Sequence, residues 1–88
     1  MYVLATTTID DHTALIPYAE AENKAGRAMR DDGVLIASYR SGKTQSGVAL
    51  ILEVADFDDA RRQLDRLPLV SDNVVTFELD EIFQLKVG

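Results

Sequence analysis

The sequence predicts a single α+β domain, and three observations carry that reading. Short runs rich in β-branched and aromatic residues alternate with two segments of helical periodicity. Turn residues fall at the junctions between them. At 88 residues the chain has the length of one domain.

Tyr2 to Ile9 reads as a first strand, and the cluster Asp10-Asp11-His12-Thr13 reads as a break with a helix cap. A helix is expected over Ala14 to Asp32, with Leu15, Tyr18, Ala25 and Met29 at helical spacing. Gly33 closes it at the position where a left-handed residue is needed. Pro17 then falls in the first turn, where a missing amide hydrogen costs little. Val34 to Arg40 is a second strand, Ser41 to Ser46 a polar hairpin loop, and Gly47 to Val54 a third strand. Asp56 is placed to cap a second helix that buries Phe57, Ala60, Leu64 and Leu67, and Pro68 is expected to end it. A last strand spans Val74 to Phe83. The order strand, helix, strand, strand, helix, strand is the split βαβ, or ferredoxin-like, arrangement with an antiparallel sheet.

In that arrangement both helices cover one sheet face, so alternate strand residues should be polar. The third strand instead offers Val48, Leu50, Leu52 and Val54 on one parity and Ala49 and Ile51 on the other. The first strand likewise sets Tyr2 and Leu4 against Val3, Ala5 and Ile9. At about 25 cal/mol per Å² of apolar surface, a wet second face forgoes a stability comparable with that of a small domain. A homodimer or higher homo-oligomer, packed sheet to sheet, is therefore expected.

Composition limits the partners. Nine basic against 15 acidic residues give a formal charge of −6, which disfavours nucleic acid and anionic membrane surfaces. The chain has no cysteine, which excludes a thiolate nucleophile, a disulfide or a thiolate metal site. The start of the sequence has no signal-peptide pattern, and no run approaches the roughly 20 apolar residues of a membrane span, so a cytoplasmic protein is expected. His12 beside two aspartates is a weak metal motif, so neither a metal nor another cofactor is expected. The serines have no histidine partner by spacing, and the dispersed glycines form no phosphate loop.

Glu22 is the most informative residue, lying on the apolar stripe four residues after Tyr18 and three before Ala25. A carboxylate held there is either desolvated, which raises its pKa and suits it to proton transfer, or paired with a cation; the alternative is an edge glutamate that reaches solvent. Arg40 ends the second strand on the parity of Val34, Ile36 and Ser38. It can hold a substrate carboxylate or neutralise a buried glutamate. Glu22 and Arg40 are the catalytic candidates. Tyr18, Tyr39 and Lys43 are candidates for contact with a small-molecule substrate.

The stretch Glu22-Asn23-Lys24-Ala25, the helix end at Gly33, the pair Tyr39-Arg40, the helix start Asp58-Asp59-Ala60 and the turn Leu67-Pro68-Leu69 together resemble the muconolactone isomerase family. The resemblance runs from about Ala19 to Leu79. It implies a ferredoxin-like protomer, a dimeric α/β barrel that can build larger rings, and a pocket between the sheet and the first helix. It further implies a cofactor-free proton shift on a small unsaturated lactone acid, with Glu22 and Arg40 at the family's glutamate and arginine positions. The chain departs from the family in having no tryptophan, with Tyr39 at the aromatic position, and in placing Ile36, Ala37 and Ser38 where the family carries a histidine and a further arginine. A more apolar metabolite fits that second strand equally well. The other readings are a non-catalytic ligand-binding or assembly module and a cofactor-free oxygenase.

Overall fold

A computed structural model describes residues 1–42 and 46–86. Strands β1 (Tyr2–Thr8), β2 (Leu35–Arg40), β3 (Gly47–Glu53) and β4 (Glu78–Ile82) form one antiparallel sheet in the order β2-β3-β1-β4. Helices α1 (Ala19–Asp31), α2 (Phe57–Leu64) and the short α3 (Pro68–Ser71) complete the ferredoxin-like arrangement expected from the sequence.

Register assigns the faces, because residues directly opposite one another share a side of the sheet. Val3 pairs with Leu52 and Ala5 with Leu50, and all four are buried in the core with Met29, Ala60 and Leu64. This is the helix-covered face. Tyr2, Leu4 and Thr6 lie on the other face, opposite Glu53, Ile51 and Ala49 on one side and Ile82, Asp80 and Glu78 on the other. The open face thus has an apolar middle and an acidic margin along β4.

Local chemistry explains the helix ends. Asp56 caps α2 by accepting from the Asp59 backbone N–H at 2.7 Å, and the Asp59 carboxylate accepts in turn from the Ala55 N–H at 2.9 Å. This is a reciprocal arrangement of the capping-box type. Gly33 follows α1 with φ of 77°, a left-handed conformation that glycine adopts without steric cost.

Four expectations are corrected. The segment before α1, His12–Tyr18, is a 3-10 helix and not part of one continuous α-helix. Pro17 lies inside it, where it lacks an amide hydrogen and disfavours α geometry in the residue before it. Pro68 does not terminate α2, which stops at Leu64; it opens α3 at the first helical position, where its fixed φ fits. The last strand is only Glu78–Ile82, because the Val74 and Val75 amides donate to the Leu69 carbonyl and tie that stretch to α3. Finally, a register irregularity between Leu35 and Ala37 breaks the alternation of β2. Leu35 faces the core opposite Leu52, yet Ser38 and Arg40 also face it, opposite Leu50 and Val48. The extra residue, Ile36, absorbs the shift as in a β-bulge.

Candidate functional site

Arg40 reaches the helix-covered side because of the bulge. Without it, a strand that buries Leu35 would direct residue 40 to the open face. The result is a cleft of about 480 Å³ between the sheet and α1, roofed by the Leu67-Pro68-Leu69 turn. Its walls are largely apolar, with Met29, Leu35, Leu50, Leu67 and Leu69 among them, and Glu22, Asn23, Ser38 and Arg40 supply polar groups. This combination of an apolar body and a few convergent polar groups is typical of small-molecule sites.

Glu22 is half-buried on the α1 wall. Its Oε1 accepts a hydrogen bond from the Leu69 backbone N–H at 2.6 Å. Burial raises its pKa above the ordinary carboxylate value, and the Leu69 amide, which favours the charged form, opposes that shift without cancelling it. No ion pair joins Glu22 to Arg40 among the described residues, although both line the cleft. Of the readings open to a carboxylate on this stripe, partial desolvation fits its half-buried position, and no cation pairs with it among the described residues. Arg40 is exposed, and no hydrogen bond or ion pair holds its guanidinium among the described residues.

The remaining candidates are placed differently. Tyr39 borders the cleft, but it pairs with Ala49 on the open face and is 62% exposed. Tyr18 is not among the cleft-lining residues. Its hydroxyl donates to Asp72 Oδ2 at 2.9 Å, and this bond to a carboxylate raises the pKa of the phenol. Lys43 lies outside the described residues. His12 is exposed at the start of the 3-10 segment, and among the described residues no group of three His, Asp or Glu side chains comes together. Sequence reasoning missed the Leu69 amide, a backbone donor with no side-chain signature, and it passed over Gly26, Arg27 and Arg30. Of the last three only Gly26 carried a signal, since a glycine inside a helix is unfavourable relative to alanine, whereas arginines three residues apart are ordinary on a solvated helix face.

No protein-family model matches the sequence, and no curated protein matches it. Among solved structures the chain is similar to one described as an antibiotic biosynthesis monooxygenase, with a TM-score of 0.61 over 96% of this chain and 100% of that one. No helix among the described residues is long and apolar enough to cross a membrane. At 14% identity the likeness establishes the architecture: the chain shares the α+β fold of that protein, with a four-stranded antiparallel sheet covered on one face by helices.

Proposed function

We propose that the cleft binds a small, largely apolar carbon acid and that Glu22 moves a proton on it. The observation that carries this reading is a half-buried carboxylate of raised pKa on the wall of an apolar cleft that also holds an arginine with no ion-pair partner among the described residues. A raised pKa brings a carboxylate closer to neutrality and makes it a better proton acceptor. In the forward step the Glu22 carboxylate takes a proton from carbon and the electron pair moves into an adjacent carbonyl. Arg40 then faces the enolate oxygen and stabilises its charge. Returning the proton to a different carbon completes an isomerisation of the kind the muconolactone isomerase resemblance implies.

Cofactor-free oxygenation is a second reading, favoured by the likeness to a structure described as a monooxygenase. It shares the first step, with the enolate reacting with dioxygen in place of reprotonation. A third reading, a binding module without catalysis, is favoured by the Leu69 hydrogen bond, which gives Glu22 a structural task of its own.

One experiment separates the three. A panel of unsaturated lactone acids and phenolic ketones is incubated with the protein in D₂O, with proton NMR and an oxygen electrode as readouts. Enzyme-dependent deuterium incorporation at carbon, lost in Glu22→Gln, supports proton transfer. Oxygen uptake lost in Glu22→Gln, with or without exchange, selects the oxygenase. Binding with neither exchange nor oxygen uptake across the panel leaves only the module.

A further inference from the structure

The arginines of this acidic chain fall into two sets. Arg61 donates to the Phe77 carbonyl at 2.7 Å, Arg62 pairs with Asp59 at 2.9 Å, and Arg66 pairs with Asp32 at 2.7 Å. Arg27, Arg30 and Arg40 have no hydrogen-bond or ion-pair partner for their guanidinium groups among the described residues. The free set is the one that borders the two clefts alongside α1. Arg40 borders the main cleft, and Arg27 and Arg30 border a second cleft of about 310 Å³ between α1 and the bulged strand β2.

The two clefts are contiguous. Glu22, Asn23, Gly26, Leu35 and Ser38 line both. Gly26 is the unusual member of that wall, since a glycine inside a helix costs roughly 0.5–1 kcal/mol relative to alanine. Its backbone does not require glycine, because among the described residues Gly33 is the one glycine with positive φ. Packing does not require it either, because a Cβ built there has nothing within 4 Å. What the missing side chain leaves is open space where the two clefts meet.

We propose that the clefts are two lobes of one binding site for an elongated, largely apolar small molecule ending in an anionic group. Arg27 and Arg30 hold the anion, the apolar body lies in the main cleft, and Gly26 keeps the passage open. Guanidinium groups suit carboxylate and phosphate alike, and on a protein of net charge −6 the second cleft sets Arg27 and Arg30 against the one carboxylate of Glu22. The proposal rests on the reading of the main cleft as a ligand pocket but not on proton transfer by Glu22.

Calorimetric titration with octanoate and octan-1-ol tests it, since the two probes share a chain and differ in charge. The wild-type protein is expected to bind octanoate about tenfold or more tightly than octan-1-ol, with the preference shrinking at raised salt. Arg27→Gln combined with Arg30→Gln should bring octanoate down to the level of the alcohol and leave the alcohol unchanged. Gly26→Leu should do the same by obstructing the passage, and should melt no lower than wild type because leucine is the better helix former. Arg62→Gln, which removes a guanidinium from a residue that lines neither cleft, should retain the preference. Persistence of the preference in the double arginine variant, its loss in Arg62→Gln, or a lowered melting temperature for Gly26→Leu would overturn the proposal. If wild type binds both probes equally, with amide shifts at Leu50 and Leu69, the main cleft stands and the anionic lobe falls. Binding of neither probe removes both.

Discussion

Glu22 carries a structural and a proposed chemical task, and two substitutions separate them. Glu22→Ala leaves the half-buried Leu69 amide without its acceptor at 2.6 Å. A hydrogen bond to a charged group contributes about 1.5–3 kcal/mol, and an unsatisfied donor costs about 1–3 kcal/mol. Removing a carboxylate that is itself partly desolvated returns some of this, so a net loss of about 1–2 kcal/mol is expected. For a domain of this size about 1 kcal/mol corresponds to roughly 4–8 °C, which puts the Glu22→Ala melting temperature about 4–16 °C below wild type. Glu22→Gln keeps a carbonyl oxygen in the same place and sheds the buried charge, so the weaker bond and the relief of desolvation nearly offset. Its melting temperature should lie within about 5 °C of wild type. Differential scanning calorimetry at neutral pH reads both. An alanine variant as stable as wild type would refute the claim that the Leu69 hydrogen bond ties α1 to the turn. A glutamine variant as unstable as the alanine one would show that the charge, not the acceptor, is what the turn requires.

Other outcomes follow from the faces and the charges. Leu50→Asp places a carboxylate in the core and should prevent folding, whereas Ile51→Asp places one in the apolar middle of the open face and should dissociate the expected oligomer. Sedimentation of wild type should give a multiple of 9.7 kDa, and an unchanged Ile51→Asp would mean that this face is not an interface. Stability should also respond to pH with two opposite signs. The raised pKa of Glu22 means the folded state binds its proton more tightly than the unfolded state, so its contribution is favourable at low pH and is lost as pH rises above the ordinary value near 4.5. The depressed pKa of Asp59, set first by its bond from the Ala55 amide, contributes stability that is present above 3.8 and lost as pH falls below it. Glu22→Gln should remove the first slope and leave the second, as urea midpoints measured between pH 3 and 7 will show. Asp56→Ala should cost about 1 kcal/mol through loss of the α2 cap, with little change in probe binding.

How much of this was legible in the sequence depended on how local the determining chemistry is. The caps at Asp11 and Asp56 and the left-handed Gly33 were readable because a side chain or a missing Cβ does the work within a few residues. The convergence of Glu22 and Arg40 on one cleft followed from a helical stripe and a strand end, but the route did not. Arg40 arrives there through the bulge at Ile36, and nothing in Leu35-Ile36-Ala37 announces an extra residue, since all three are apolar. The hydrogen bond from Leu69 was invisible for a different reason, since a backbone amide has no letter in the sequence. The 3-10 start of the first helical region was misjudged because periodicity over Leu15, Tyr18 and Ala25 outweighed Pro17, whose effect on geometry is stronger than that of one apolar contact. Arg27 and Arg30 were passed over because nothing in the sequence says which arginines find a partner: Arg61, Arg62 and Arg66 do, and these two do not among the described residues.

The proposed proton transfer depends on a carboxyl group that burial makes harder to ionise. Carbon-13 NMR titration of the Glu22 side-chain carboxyl in the wild-type protein measures this without a substrate. A midpoint above the ordinary 4.5 is expected. A midpoint at or below 4.5 would mean that the Leu69 amide outweighs desolvation. That would leave Glu22 a structural anchor and no base.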